Sequence, residues 1–210
     1  ELAANLAEQR KKNPDAFTRG VIFAFWSGEE KGLIGSARYA DKPPIPHQFV
    51  SAYLNFDMVG RMRDNKLMLQ GIGSSAAWKR LIEKANVAAG FDLKLQDDPY
   101  LPTDATSFYP KKIPVLAFFT GSHDEYHRPS DDADTLNYEG VERVTKFART
   151  IVRDLVKPGA RPEWAQVDRS SKASVSGLRV YLGTIPDYAA EVEGVKLSGV
   201  RGGAPADKAG

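Results

Sequence analysis

The sequence predicts an α/β fold with a mostly parallel central sheet and helices on both faces of that sheet. Segments whose apolar residues recur at helical spacing alternate with short apolar runs rich in β-branched and aromatic residues. This alternation is typical of parallel strands joined by crossover helices. After residue 157 a polar stretch leads to short β-like runs, which predict a small, partial β-rich segment at the C-terminal end.

The first part of the chain is predicted to alternate between the two element types. Its opening residues have helical character from the first position without a preceding cap, so we expect the chain to begin inside a domain whose N-terminal strands are missing. The apolar run over residues 21–26, VIFAFW, predicts a strand covered on both faces. In chain order the predicted elements are a helix to about Lys12, a strand over 21–26, a helix over 33–40, and strands over 49–56 and 66–70.

Two helices and one strand are predicted in the next part. Apolar residues from Trp78 to Ala89 fall on one helical face, and Gly90 provides the stop signal. Residues 113–119 form an apolar run that predicts a buried strand. A long helix follows, with apolar positions from Val141 to Leu155. We therefore assign residues 1–157 to one domain, 158–173 to a linker, and 174–210 to the start of a second domain, since so short a unit rarely supports its own core.

Composition excludes several classes of function. The 210 residues carry a formal net charge of +2, which gives no electrostatic case for binding nucleic acid or an anionic membrane. No apolar stretch reaches the length of a membrane span. The chain has no cysteine, so a metal would have to be held by His, Asp and Glu.

Acidic and histidine side chains follow three of the predicted strands directly. Glu29 and Glu30 follow the run that ends at Trp26, Asp57 follows the strand that ends at Phe56, and two histidines, His123 and His127, follow the strand that ends at Phe119. Ligand sites in open α/β sheets lie beyond the carboxyl ends of strands. Carboxylates and imidazoles are ligands that zinc accepts, so these strand ends predict a zinc site.

These segments resemble, in the same order, the co-catalytic di-zinc aminopeptidases. The resemblance covers roughly residues 1–157 and rests on these motifs: SGEEKGLIGS at 27–36, NFDMVG at 55–60, TDATSF at 103–108, and YHRPSD at 126–131 followed by DTL at 134–136. It implies a zinc-dependent aminopeptidase that hydrolyses the N-terminal bond of peptide substrates through a metal-activated water, with two zinc ions in the complete protein. It also implies an extracytoplasmic location.

The resemblance assigns a role to each matching residue. Glu29 matches the general base, and Tyr126 matches a donor to the oxyanion. Glu30 and His127 match ligands of one zinc, and Asp57 matches a ligand of the other. We expect Asp104 and Asp131 to orient ligands, and His123 to line the rim of the substrate site, although a ligand role for His123 stays open.

This sequence departs from the family pattern at Ala105, where families of this type often have His, and in its metal ligands. The family also supplies a histidine ligand and a bridging aspartate ahead of the residue at which this chain begins. The candidate ligands here number three, divided between two metal positions. We therefore expect the 210 residues alone to bind zinc weakly and to be inactive.

Other interpretations stay open at this point. A glutaminyl cyclase shares the fold and the paired glutamates but uses one zinc for an intramolecular cyclisation. A metal-free binding or scaffold protein could have the same fold. Glu29 and Glu30 could also be the acidic first turn of a helix, and Asp57 an ordinary turn residue. The segments at 181–188 and 200–210 resemble the start of a PDZ domain, which in complete form captures an extended peptide.

Overall fold

In the computed structural model the described residues are 1–159, 161–168, 182–186, 194–195, 197–200 and 203–209. They form two compact units. The first unit combines residues 1–120 with residues 136–167, and the second contains the described residues among 121–135 and 168–210.

The first unit is built on a mixed four-stranded sheet. Its strands are β1 (Tyr53–Phe56), β2 (Lys66–Gln70), β3 (Asp92–Gln96) and β4 (Val115–Phe119), in the spatial order β1-β4-β2-β3. The β1–β4 and β2–β3 pairs are parallel, and the β2–β4 pair is antiparallel. This arrangement confirms the predicted α/β class with a mostly parallel sheet.

Helices cover both faces of this sheet. The first unit contains α1 (Leu2–Lys12), α2 (Ile34–Asp41), α3 (Ala77–Ala89), α4 (Ala105–Phe108) and α5 (Tyr138–Leu155). On one face α3 and α5 pack against Leu67, Leu69, Leu116 and Phe118. On the other face α2 and α4 pack against Val115 and Ala117. Every residue of β4 is buried, so this strand belongs to both cores at once.

The ends of α3 and α5 follow from local chemistry. Gly90 adopts a left-handed conformation, φ 63°, and ends α3 as the sequence predicts. Asn137 caps the first turn of α5, where its side chain accepts a hydrogen bond from the backbone N–H of Gly140 at 2.8 Å. The side-chain amide of Asn137 also donates to the carbonyl of Met62 at 2.9 Å, so the cap joins α5 to the chain that follows β1.

The prediction of a buried strand over residues 21–26 is wrong. No described residue forms a strand ladder with this segment, and its apolar side chains are largely exposed, with Phe25 94% accessible. A strand needs a neighbour that accepts and donates its backbone hydrogen bonds. The apolar composition of this run favours burial, but the described residues do not cover its side chains.

Three smaller differences separate the predicted elements from the observed ones. The strand predicted over 49–56 begins only at Tyr53, because His47–Phe49 form a 3-10 turn. Strand β3 and helix α4 were not predicted. In β3 the alternation of Leu93 and Leu95 with polar residues is a strand signal. Helix α4 has only four residues, too few for a periodic pattern.

The second unit contains a loop and a small β-hairpin. Strands β5 (Thr184–Pro186) and β6 (Leu197–Val200) pair in antiparallel fashion, and α6 (Pro205–Ala209) follows. Of the β-like run predicted at 178–182, only Leu182 lies within the described residues, and the resemblance to a PDZ domain stays a prediction. Across the described part of the chain, no helix combines the length and apolarity needed to cross a membrane.

Candidate active site

Glu29 and Glu30 lie on a tight turn that glycines make possible. Gly28 (φ 68°) and Gly32 (φ 103°) flank the 3-10 turn Glu29–Lys31, and both have left-handed backbones that favour glycine. The carbonyl of Glu29 accepts hydrogen bonds from Gly32 N at 3.0 Å and Leu33 N at 2.9 Å. Glu29 is half-buried and Glu30 is exposed. We call residues 27–35 the acidic turn.

Gly35 closes the acidic turn. Its N–H donates to the carbonyl of Ser27 at 2.9 Å. A Cβ atom on Gly35 would lie 2.8 Å from both the nitrogen and the oxygen of Ser27, a distance that backbone atoms do not tolerate. Glycine at this position therefore holds the two ends of the turn together and fixes where Glu29 and Glu30 stand.

Asp57 follows the carboxyl end of β1, as the sequence predicts. Its N–H donates to the carbonyl of Phe118 at 3.3 Å, which continues the pairing of β1 with β4 by one residue. The next residue, Met58, has a left-handed backbone with φ 50°. Its carbonyl accepts a hydrogen bond from the hydroxyl of Thr120 at 2.5 Å. Thr120 thus fixes the turn that carries Asp57, a role that sequence reasoning did not identify.

A hydrogen-bonded chain connects Trp26, the residue before the acidic turn, to β1. Trp26 Nε1 donates to the hydroxyl of Tyr53 at 3.0 Å, and that hydroxyl donates to Oδ1 of Asn55 at 2.9 Å. Burial raises the pKa of the Tyr53 hydroxyl, the hydrogen bond from Trp26 opposes this effect, and the negative charges of Asp104 and Asp57 add to it. Tyr53 therefore stays a neutral donor close to both carboxylates.

Asp104 is the least hydrated carboxylate among the candidate residues. It is 8% exposed, and its Oδ1 atom is buried without a hydrogen-bond partner among the described residues. A buried carboxylate normally has partners, because desolvation of an unpaired charge is costly. A buried carboxylate oxygen without a hydrogen-bond donor among the described residues thus lies at the start of α4, where Asp104 and Asp57 both act on Tyr53.

Aromatic rings join the elements that carry these acids. Tyr53 stacks on Phe108 of α4 with ring centroids 4.1 Å apart, and Trp26 lies 5.8 Å from the same ring. Ser36 of α2 and Ser107 of α4 share a hydrogen bond of 2.9 Å between their hydroxyl oxygens. Because Trp26 and Ser36 flank the acidic turn, these contacts hold both ends of that turn against β1 and α4.

The second unit holds the other candidate residues on residues 121–135, which we call the histidine loop. Nδ1 of His123 lies 3.5 Å from the Glu125 carboxylate, and Nε2 lies 3.6 Å from the Asp131 carboxylate. The rings of Tyr126 and His127 stack with centroids 3.8 Å apart. His127 has a left-handed backbone with φ 57°, which is uncommon for a residue with a side chain.

The structure thus groups the candidates in two sets. Glu29, Glu30, Asp57 and Asp104 lie in the first unit, and His123, Tyr126, His127 and Asp131 lie in the second. In the part of the chain that the structure describes, no three His, Asp or Glu side chains form a group that could hold a metal ion. The donors suit zinc in their chemistry, but they do not by themselves form a three-ligand site.

Sequence reasoning missed the residues that support the site. Tyr53, Asn55 and Asp57 occupy alternate positions along β1 and its end, so they share one side of the strand. Polar residues at three alternate positions in an otherwise apolar strand could have identified Tyr53 and Asn55 as supporting residues of the site. Trp26 gave no such signal, because it ends an apolar run.

Comparisons with known proteins show which family the chain is similar to. The family model described as "Peptidase family M28" matches residues 1–152. The chain is 34% identical over 116 residues to an aminopeptidase of Pseudomonas aeruginosa, a match that covers 49% of this chain and 21% of the relative. It is 32% identical over 111 residues to leucine aminopeptidase 2 of Trichophyton equinum, with 49% of this chain and 22% of the relative covered.

A solved structure has the same fold. The zinc aminopeptidase BSAP from Bacillus subtilis superimposes with a TM-score of 0.55 at 23% identity, and the match covers 63% of this chain and 35% of that one. The chain spans about a fifth of the length of the curated relatives described above. Because the family model matches well over half of its residues, the chain belongs to peptidase family M28.

Proposed function

We propose that the full-length protein is a zinc-dependent aminopeptidase that removes N-terminal residues from peptides. The observation that carries this proposal is the acidic turn, where two adjacent carboxylates stand on a backbone that glycines permit and hydrogen bonds fix. A catalytic base works best when its position is fixed before the substrate arrives. Membership of the M28 family and similarity to aminopeptidases support the same reaction.

In this proposal Glu29 is the general base. It is half-buried at the start of the turn, while Glu30 next to it is exposed, so the two carboxylates have different surroundings. Glu29 takes a proton from the attacking water and passes it to the leaving amine. Transfer in both directions by one carboxylate requires that its backbone stay fixed. The hydrogen bonds of the acidic turn fix it, and Gly28, Gly32 and Gly35 permit the backbone conformation that these bonds need.

Glu30, Asp57 and His127 are the residues that would hold zinc. Bound zinc supplies Lewis-acid polarisation of a scissile carbonyl and lowers the pKa of a water molecule. We propose two ions for the full-length protein, as the resemblance implies. Asp104, which has an unpartnered buried oxygen, would position the Asp57 end of the site through the cluster around Tyr53.

Tyr126 would donate its hydroxyl to the developing oxyanion. The Tyr126 ring stacks on His127, so a substrate carbonyl held near His127 would also lie near this hydroxyl. Asp131 and Glu125 flank His123 within the same loop, and this supports a place for His123 at the substrate rim.

An extracytoplasmic location, and capture of an extended peptide by a complete PDZ-like domain, are proposals that rest on resemblance alone.

The test is a product assay on the full-length protein with added zinc. A leucine-terminated peptide and a glutamine-terminated peptide are offered in parallel, and free amino acid and cyclised product are measured separately. We expect free leucine from the first peptide. Cyclised glutamine without leucine release would indicate a glutaminyl cyclase instead, and no product from either peptide would contradict an enzymatic function.

Variants assign the roles within this assay. We expect Glu29→Gln to lower kcat by about 10²–10⁴-fold with bound zinc unchanged, because only proton transfer is lost. Glu30→Gln should lower the zinc content together with activity. Glu83→Gln, an exposed glutamate of α3, is the matched control and should change neither quantity. Normal turnover in Glu29→Gln would exclude Glu29 as the base.

A further inference from the structure

The first unit has a cavity of about 430 Å³ at the edge of the sheet opposite to Asp57. Val50 and Ser51 line it ahead of β1, and Lys112 and Pro114 line it ahead of β4. Since β1 and β4 are parallel, these residues mark the N-terminal edge of that strand pair, whereas Asp57 and Thr120 follow the carboxyl edge. Roughly 20 Å of chain separates Ser51 from Asp57, so this cavity is distinct from the candidate active site.

The outer wall of the cavity is held firmly by hydrogen bonds. Residues 161–164 form this wall after α5. A guanidinium N–H of Arg161 donates to the carbonyl of Gln48 at 2.7 Å, and Ala165 N donates to the carbonyl of Ser74 at 2.8 Å. The ring of Trp164 packs on Tyr109 with centroids 5.5 Å apart. The cavity is therefore a preformed feature of the first unit.

Two cations and one carboxylate line this cavity. Lys112 and Arg161 form no ion pair with any described residue, and neither does Glu163. Lys112 stands on a left-handed backbone with φ 61°, a conformation that a side chain makes costly. This conformation ends the 3-10 turn Tyr109–Lys111, where the N–H of Lys112 donates to the carbonyl of Tyr109 at 3.0 Å. All three charges thus remain available to a ligand.

Apolar side chains and the residue Trp164 complete the walls. Val50, Pro114 and Pro162 supply apolar surface. The indole Nε1 of Trp164 is buried and has no acceptor among the described residues, and a buried donor without an acceptor is destabilising. Because Trp164 lines the cavity, the signal of its indole group can report a molecule bound there.

We propose that this cavity binds a free α-amino acid with an apolar side chain, in its zwitterionic form. Arg161 and Lys112 bind the carboxylate, Glu163 accepts the ammonium group, and the apolar walls hold the side chain. The cavity volume lies in the range of small-molecule sites. This inference concerns a second site and does not depend on the proposed peptidase function.

The indole signals of the ¹⁵N-labelled 210-residue protein provide the direct test. The chain has three tryptophans, Trp26, Trp78 and Trp164, and the Trp164→Phe variant identifies the signal of Trp164. We expect L-leucine at millimolar concentrations to shift the Trp164 signal in a saturable way. L-leucine amide lacks the carboxylate, and N-acetyl-L-leucine lacks the ammonium group. The affinity of each should be lower than that of L-leucine by about tenfold or more.

Charge variants complete this test. Arg161→Gln and Glu163→Gln should each weaken L-leucine binding by about fivefold or more. Arg153→Gln, an exposed arginine on α5, is the matched control and should bind like the parent protein. An unchanged Trp164 signal would overturn the proposal. Equal binding of L-leucine and its amide would also overturn it. An equal shift of the Trp164 signal with acetate would overturn it too, because that result would indicate a general anion site.

Discussion

At the scale of single residues, Asp104 differs from the other candidate acids in its burial. Asp104 is buried, one of its oxygens has no partner among the described residues, and Asp57 is a second negative charge near the same tyrosine. A carboxylate in such surroundings weakens the fold unless a ligand or an ion compensates for it. Asp104 therefore has the character of a residue retained for function.

Replacement of this acid should stabilise the protein. We expect Asp104→Asn to raise the free energy of unfolding by about 1 kcal/mol, because a neutral amide is less costly to bury and is not repelled by Asp57. In the full-length protein the same variant should lower peptidase activity. Urea unfolding checks the first effect, with Asp92→Asn, an exposed acid on β3, as the control. A less stable Asp104→Asn protein would show that the carboxylate is structural.

The residues of the site were predictable in type but not in their surroundings. Glu29, Glu30, Asp57 and His127 are polar residues in an apolar context, which a sequence displays directly. The burial of Asp104 was not visible, because it depends on Phe108 and Tyr53, which come together only in the folded chain. The hydrogen bond of Thr120 to Met58 likewise joins residues that are distant in sequence.

At the scale of elements, the acidic turn depends on backbone geometry more than on its side chains. Gly35 approaches Ser27 so closely that no side chain fits between them. Gly20, by contrast, has open space around its Cβ position and lies ahead of the turn. Substitutions at these two positions can therefore distinguish the effect of a close backbone approach from the general effect of replacing a glycine.

We expect Gly35→Ala to destabilise the protein by about 2 kcal/mol, because its Cβ would overlap the backbone of Ser27. Gly20→Ala should change the stability by only a few tenths of a kcal/mol, in either direction. Thermal unfolding of both variants measures the difference. Equal stability of the two variants would mean that the turn relaxes freely and does not fix Glu29.

The helices whose apolar face packs on a neighbouring element were predicted well. Helices α3 and α5 bury one face against each other and the sheet, so their apolar spacing gave both position and type. The run at 21–26 has an equally clear apolar pattern but no pairing strand among the described residues. Apolar content predicts that a segment needs burial, whereas pairing decides whether it becomes a strand.

At the scale of the whole first unit, one carboxylate joins the two helices of the larger core. Asp154 of α5 accepts hydrogen bonds of 2.6 Å from Lys84 of α3 and from Lys157. Partial burial raises the pKa of the Asp154 carboxyl, but the two lysines outweigh this effect and hold the pKa below its ordinary value of 3.8.

This pairing should contribute to stability in a pH-dependent way. Because the pKa of Asp154 is lower in the folded state, its contribution is complete above pH 3.8 and is lost as the pH falls through the folded value. We expect Asp154→Asn to lower the free energy of unfolding by about 1 kcal/mol at neutral pH, since both lysines stay half-exposed.

The measurement is urea unfolding of the Asp154→Asn variant at neutral pH and in acid, with Asp92→Asn as the control. The difference from the parent protein should shrink as the solution is acidified below pH 3.8. A difference of constant size across this range would show that Asp154 contributes through packing rather than charge.

Anomalous scattering at the zinc absorption edge, on crystals of the full-length protein, tests the central claim most directly. The account predicts two zinc ions, one bound by the carboxylate of Glu30 and the imidazole of His127 and the other by the carboxylate of Asp57, with Glu29 close by but not bound to metal. Zinc held by other residues, or crystals grown with zinc that show no anomalous signal at these side chains, would contradict it.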